Sequence, residues 1–270
     1  MPWLALTLEV EAGRTETLSD ALLEQGAESV WIEPPRRLHA LLPEHADARA
    51  LLGLAAAAAG LAMPAFCTQA VADEDWVRQA QGQFQAQCIA GRLWIVPSWH
   101  EAPREGVVLR LDPGLAFGTG SHPSTRLALA WLVSADPAGA RVLDYGCGSG
   151  ILAIAAARLG AAHVDAVDID AEALAATDGN ARANAAAVRA CPPERLPPGA
   201  YDVVLANILA QPLIVLEPLL AARTRPGGRI ALSGILGAQA PEVARAYGAH
   251  FVARVAAEEE GWALVEGRRR

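Results

Sequence analysis

The chain of 270 residues carries a net charge of −8 and contains no lysine, because all 22 of its basic residues are arginines. The negative balance argues against wholesale binding of a nucleic-acid backbone, and it suits a cationic ligand or a basic protein partner. The lack of lysine excludes a catalytic lysine and the P-loop motif, which requires one.

The cysteine pattern and the apolar segments indicate the cellular compartment in which the protein is expected. Cys67, Cys88, Cys147 and Cys191 are widely spaced and form no C-x-x-C motif, so we expect free thiols in a reducing compartment. The beginning of the chain lacks the basic and apolar regions of a signal peptide. The apolar segment 51–63 is too short to span a bilayer. The sequence therefore predicts a cytoplasmic protein without a membrane anchor.

The first part of the chain has the pattern of a small α+β domain. Apolar and polar residues alternate at its start, and turn residues and helical spacing follow. The predicted elements are a strand over 3–10, a helix over 16–26, strands over 27–33 and 37–43, a helix over 44–60 and a strand near 64–71. This order predicts a ferredoxin-like domain over residues 1–71. Residues 72–90 are predicted to form a connecting helix.

The second part, residues 91–270, alternates helices and strands in the manner of a doubly wound α/β sheet. Short extended segments are predicted at 92–99 and 105–114, and a helix begins at residue 123. The later predicted strands are 140–146, 163–170, 201–209, 226–236 and two within 250–267, and the helices are 151–160, 171–184, 211–224 and 238–249. The terminal Arg268 to Arg270 are predicted to form a solvated tail.

A glycine-rich loop, LDYGCGSG, joins the strand at 140–146 to the next helix. Gly146, Gly148 and Gly150 permit a sharp turn and let a ligand approach the backbone closely. This G-x-G-x-G spacing predicts a nucleotide-type ligand, but it is one residue shorter than the dinucleotide fingerprint. Asp144 stands before the glycines, where a carboxylate is unfavourable beside a pyrophosphate. It can instead anchor the loop or, through water, the ammonium of an amino-acid-like ligand.

Two acidic residues end the next predicted strand. Asp168 lies about 20 residues after the first glycine, where an acid at the strand tip accepts hydrogen bonds from both ribose hydroxyls of a nucleotide. The competing interpretation of Asp168 is a simple helix cap. Asp170 is expected to be exposed or to cap the following helix, and Ile169 is predicted to lie against the adenine.

Asn207 lies near the end of the predicted strand 201–209, and this end faces the reacting part of a ligand in this kind of sheet. Its carboxamide can accept a hydrogen bond from an amine and donate one elsewhere. On its own, an asparagine after a strand is more typical of a turn. The loop DPGLAFGTGSHPSTRLAL, residues 112–129, also holds three glycines ahead of a predicted helix.

Together these motifs resemble the ribosomal protein L11 methyltransferase (PrmA) family. The resemblance covers residues 90–255 and rests on LDPGLAFGTGSHPSTRLAL, VLDYGCGSGILAIAAARLGA, VDIDAEAL, DVVLANILAQPL and LSGIL. It implies a seven-stranded, Rossmann-like methyltransferase domain that uses S-adenosylmethionine, preceded by a ferredoxin-like substrate-recognition domain. It also implies methylation of lysine ε-amino groups and the N-terminal α-amino group of ribosomal protein L11, a basic protein.

The resemblance also assigns site residues. It makes Asn207 both the catalytic residue and a cofactor contact, and it adds Thr125 as a cofactor contact. The other expected cofactor contacts are Phe117, Gly118, Asp144, Gly146, Gly148, Asp168 and Ile169. No metal is expected, nor an adenine contact from 191–200. His122 is a candidate base, although a structural role in its tight loop is favoured.

Three alternatives remain open in the sequence. The first is a methyltransferase acting on lysines of another protein, because the catalytic motifs would be the same. The second is an NAD-dependent oxidoreductase, which the glycine spacing disfavours. The third is an RNA-binding module, which the lack of interleaved basic and aromatic residues in the first domain disfavours. We expect a monomer that binds no nucleic acid stably.

Overall fold

A computed structural model describes residues 3–10, 14–33, 37–43, 45–71, 85–112, 120 and 122–270. By its internal contacts the chain divides into two units, Met1–Gln83 and Phe84–Arg270, and each is described by itself. Within the described residues, no helix has both the length and the apolar character needed to cross a membrane.

The first unit has the ferredoxin-like arrangement that the sequence predicts. Its elements are β1 (Trp3–Glu9), α1 (Thr15–Glu24), β2 (Ser29–Glu33), β3 (Arg37–Pro43), α2 (Ala48–Ala58) and β4 (Phe66–Val71). The strands form an antiparallel sheet in the order β2-β3-β1-β4. The alternating leucines of β1 and β3 pack against leucines of both helices and form a separate core. The first unit is thus stabilised by a hydrophobic core made of its own residues.

The second unit begins with a small sheet. It contains β5 (Gln87–Ile89), β6 (Leu93–Val96) and β7 (Val107–Arg110), with β5 antiparallel and β7 parallel to β6. The connecting helix predicted over 72–90 falls mostly outside the described residues, but its last part is wrong, since 87–89 form a strand. The Asn184 carboxamide binds the Arg110 backbone twice, accepting from its N–H at 2.6 Å and donating to its carbonyl at 2.7 Å. Because Asn184 follows the helix Ala171–Ala183, this pair joins β7 to the end of that helix.

The large sheet is doubly wound and has seven strands. Its elements are α3 (Pro123–Ala135), β8 (Arg141–Tyr145), α4 (Ile151–Arg158), β9 (His163–Val167), α5 (Ala171–Ala183), β10 (Arg189–Cys191), β11 (Tyr201–Asn207), α6 (Ala210–Arg223), β12 (Thr224–Leu236), α7 (Ala240–Tyr247), β13 (Phe251–Glu259) and β14 (Trp262–Arg269). The strand order is β10-β9-β8-β11-β12-β14-β13. Only β14 runs antiparallel to its neighbours.

Two further features of this unit differ from the sequence prediction. The short strand β10 was not predicted, because its three residues carry no readable apolar alternation. The predicted solvated tail is wrong, since Arg268 and Arg269 belong to β14 and the Arg270 amide donates to the His250 carbonyl at 3.0 Å.

Candidate active site

The strand order of the large sheet reverses between β8 and β11, which opens a crevice at their carboxyl ends. A cavity of about 400 Å³ lies there, within the size range of small-molecule sites. We call it the first cavity; it is lined by Tyr145, Gly146, Gly148, Val167, Asp168, Ile169, Pro193, Asn207, Ile208, Leu209, Pro212 and Leu216.

The glycine loop after β8 is held by the end of β9. The amides of Gly146 and Cys147 both donate to the Val167 carbonyl, at 2.7 and 3.0 Å. The Gly148 amide donates to Oδ2 of Asp168 at 2.9 Å. The loop predicted to approach a ligand is therefore fixed directly to the predicted ribose-binding acid.

Asp168 lies on the cavity wall and is half-buried. Its Oδ1 accepts from the Asp170 amide at 3.1 Å, so each carboxylate oxygen has one backbone donor. A carboxylate has about four acceptor positions, which leaves acceptor capacity toward the cavity. Asp170 caps α5 by accepting from the Glu172 amide at 2.9 Å. The competing interpretation of Asp168 as the helix cap is therefore wrong.

Asp144 is fully buried and does not line the first cavity. Its Oδ2 accepts from the Ala153 amide in α4 at 3.0 Å, while its Oδ1 has no hydrogen-bond partner in the described part of the chain. Burial raises the pKa of this carboxyl to about 7. Of the two roles left open by the sequence, the structure supports that of an anchor between the glycine loop and α4.

Asn207 stands where β11 ends and lines a second cavity as well as the first. Its Nδ2 donates to Oγ1 of Thr125 at 3.2 Å, whereas its Oδ1 is buried without a partner among the described residues. Buried acceptors are seldom left without a donor. An unpaired oxygen at the meeting point of two cavities therefore indicates a place for a ligand donor.

The second cavity, of about 340 Å³, has mainly apolar walls. It is lined by His122, Ser124, Asn207, Ile208, Leu209, Gly234 and Trp262. His122 caps α3, because its Nδ1 accepts from the Ser124 amide at 3.3 Å and lies 2.7 Å from the Ser124 hydroxyl. Its ring also contacts that of Trp262, with 4.6 Å between the centroids. These contacts agree with the structural role that the sequence favoured for His122.

The remaining predicted residues fall into three groups. Phe117 and Gly118 lie outside the described residues. Ile169 lines the first cavity and is 88% exposed, so it offers an apolar surface to a ligand. Thr125 is fully buried, accepts a hydrogen bond from Nδ2 of Asn207 and lines neither cavity, so its expected contact with the cofactor stays a prediction.

Sequence reasoning missed several residues that line the cavities. Tyr145, Pro193, Pro212 and Leu216 contribute to the first cavity, and Trp262 contributes to the second. The prolines and apolar residues carry no motif of their own. Trp262 comes from the hairpin of β13 and β14, far along the chain from the motifs, so only the fold shows its place.

Comparisons with known proteins decide the family. The sequence model of the family described as Ribosomal protein L11 methyltransferase (PrmA) matches residues 35–270. The chain belongs to this family. Curated PrmA relatives from Thiobacillus denitrificans and Neisseria meningitidis serogroup C are each 46% identical to it, and in both cases the alignment covers 100% of both chains.

A solved PrmA structure is also similar. The crystal structure of the ribosomal protein L11 methylase from Lactobacillus delbrueckii subsp. bulgaricus has 33% sequence identity and a TM-score of 0.64, and it covers 69% of this chain and 100% of its own. As a PrmA family member, the chain is an S-adenosylmethionine-dependent methyltransferase with a Rossmann-like fold. The alternatives of an oxidoreductase and of a non-enzymatic RNA-binding module are thereby excluded.

The buried carboxyl of Asp144 makes a test of the site's electrostatics possible. Its pKa of about 7 in the folded protein exceeds the value of about 3.9 in unfolded chains. The folded state therefore binds this proton more tightly, and the resulting stabilisation, complete below pH of about 4, is lost as the pH rises through about 7. The variant Asp144→Asn cannot titrate there. We expect the free energy of unfolding of the parent to fall relative to that of the variant over this range.

Urea unfolding at a series of pH values measures this difference. Asp178→Asn on the exposed part of α5 serves as a control. The difference between its free energy of unfolding and that of the parent should stay nearly constant across this pH range. A constant difference for Asp144→Asn as well would contradict the assignment of a buried, tightly protonated carboxyl.

Proposed function

We propose that this enzyme transfers methyl groups to lysine ε-amino groups and to the N-terminal α-amino group of ribosomal protein L11. The curated relatives carry the name of that activity. The net charge of −8 favours a basic protein substrate. The observation that carries the proposal is the unpaired Oδ1 of Asn207, buried where the first and second cavities meet.

The residues of the first cavity fit S-adenosylmethionine. When bound, this cofactor supplies a methyl group on an electrophilic sulfonium. The acceptor positions left on Asp168 suit the two ribose hydroxyls, and the exposed Ile169 suits the flat face of the adenine. Gly146 and Gly148 present backbone to the cavity. We assign Phe117 and Gly118 to the cofactor by family resemblance alone.

The second cavity fits an entering amine. Lysine is charged at neutral pH because its ordinary pKa is about 10.4, and only the neutral amine has a lone pair for attack. The apolar walls of the cavity disfavour the ammonium form and so lower the pKa of an amine that enters. Oδ1 of Asn207 accepts a hydrogen bond from one N–H group of the amine and so directs the amine's lone pair toward the first cavity.

Thr125 positions this carboxamide. Its hydroxyl accepts from Nδ2 of Asn207, which fixes the orientation of the carboxamide. Among the described residues that line the second cavity, His122 is the only titratable side chain, and its Nδ1 caps α3. We therefore assign the lost proton to solvent water and give the side chains the task of orientation and desolvation.

We propose that the first unit recognises and selects the protein substrate. All ligand motifs lie after residue 112, whereas residues 3–71 form a fold with its own core. We further propose a cytoplasmic location, since the four cysteines are free thiols, as is usual in reducing compartments.

The substrate assignment is tested by incubating the full chain with isotopically labelled S-adenosylmethionine and purified ribosomal proteins. We expect mass spectrometry to find the label on amino groups of L11. A fragment spanning residues 84–270 should bind the cofactor but methylate L11 at least tenfold more slowly, because the loss of even 1.4 kcal/mol of docking energy has that effect. Label on a different protein would support the alternative lysine methyltransferase, and full activity of the fragment would refute the role of the first unit.

Replacing Asp168 tests the cofactor assignment. A hydrogen bond to a charged group contributes about 1.5–3 kcal/mol, so Asp168→Ala should weaken S-adenosylmethionine binding by about ten- to a hundredfold. Calorimetry measures this directly. Asp170→Ala is the matched control, since it also removes a carboxylate, loses only the cap of α5 and should keep its affinity for the cofactor. Equal affinities of the two variants would rule out the ribose contact.

Replacing Asn207 tests the catalytic assignment. Asn207→Ala removes the group that orients the amine, and we expect kcat to fall by about a hundredfold, as on loss of one preorganised polar contact. The affinity for S-adenosylmethionine should fall less. Thr125→Val keeps the shape of the side chain but removes the hydroxyl that Asn207 contacts. Its kcat should therefore lie between that of the parent and that of Asn207→Ala. A near-parental kcat for Asn207→Ala at saturating substrates would reduce Asn207 to a turn residue.

A further inference from the structure

Two glycines enclose the turn that follows Asn207. Strand β11 lies between β8 and β12 in the sheet, and the end of each neighbour places a glycine against Ile208. A Cβ on Gly146 would clash with Cγ2 of Ile208. A Cβ on Gly234 would lie 2.5 Å from the Ile208 carbonyl oxygen, 2.8 Å from its carbonyl carbon and 3.0 Å from its nitrogen. Ile208 is therefore confined from both sides.

The two contacts differ in kind. The atom facing Gly146 belongs to the Ile208 side chain, which substitution can shorten. The atoms facing Gly234 belong to the Ile208 main chain, which is covalently joined to Asn207. A side chain at position 234 can be accommodated only if this peptide moves by roughly 1 Å, and a displacement of that size can reduce a catalytic rate about a hundredfold.

We propose that Gly234 is a positioning residue for methyl transfer. By leaving room for the Ile208 peptide, it holds Asn207 at the boundary between the first and second cavities. Gly146 confines the same residue from the side of β8. The catalytic consequence rests on the proposed function of Asn207, whereas the geometric consequence, a fixed carboxamide, does not.

The chain offers a matched control on the same strand. Gly227 of β12 has a φ of +74°, close to the +79° of Gly234, so alanine is strained to a similar degree at both positions. Among the described residues, and apart from its two chain neighbours, no atom lies within 4 Å of a Cβ built on Gly227. Gly227→Ala therefore reports backbone strain alone, and Gly234→Ala reports the same strain together with displacement of Ile208.

The first experiment compares these two variants in the full chain. The side-chain amide resonance of Asn207, identified by its loss in Asn207→Ala, is recorded by 15N NMR without ligand. We expect it to shift in Gly234→Ala and to stay in place in Gly227→Ala. With L11 and saturating S-adenosylmethionine, kcat of Gly234→Ala should be about a hundredfold below that of Gly227→Ala, while KM for the cofactor changes less than threefold.

Equal spectra and equal kcat values in the two variants would overturn the inference. If the resonance shifts in Gly234→Ala but the parent enzyme does not methylate L11, the proposed function is refuted and the geometric role of Gly234 is kept. The two failures are thus distinguishable.

If Gly234→Ala does not fold, a second set of variants tests whether the confinement of Ile208 positions Asn207. Within the described part of the chain, a Cβ on Gly146 meets only the Ile208 side chain, and Cβ of Ile208 already lies 3.9 Å away from it. Adding Ile208→Ala should therefore return the Asn207 resonance toward its position in the single variant Ile208→Ala and raise kcat at least tenfold over Gly146→Ala. A double variant no better than Gly146→Ala would overturn the proposed confinement of Ile208.

Discussion

The site depends on the reversal of strand order between β8 and β11. Because these parallel strands are neighbours but their following helices lie on opposite faces, the loops after them separate and leave a crevice. The glycine loop, Asp168 and Asn207 all follow strands at this edge. A shift of one strand by a single residue would remove Asp168 or Asn207 from the cavity wall. The chemistry of the enzyme is thus a consequence of register in the sheet.

Hydrogen bonds between neighbouring loops then fix each group. The glycine loop is bonded to the end of β9, Asp144 joins this loop to α4, and Thr125 of α3 holds the Asn207 carboxamide. Asp168 and Asn207 therefore each have at least one hydrogen-bond partner within the protein. In the proposed function, such preorganisation lets the site orient an amine without having to rearrange its own dipoles during the reaction.

The sequence predicted the parts of this arrangement that local patterns encode. Strands β8, β9 and β11 were readable as apolar runs, and Asp168 and Asn207 were predicted because they follow such runs. The burial of Thr125 and Asp144 was not readable, since it depends on which elements pack over α3 and α4. Trp262 was missed for the same reason: the antiparallel hairpin of β13 and β14 brings it to the second cavity from a distant part of the chain.

We propose that cofactor and amine occupy adjoining cavities that share Asn207. A crystal structure of the full chain with S-adenosylhomocysteine tests it most directly. The account predicts that the ribose hydroxyls lie within hydrogen-bond distance of the Asp168 carboxylate and that the sulfur lies beside Asn207, facing the second cavity. A ligand bound elsewhere, or bound in the first cavity with its sulfur directed away from Asn207, would contradict the account.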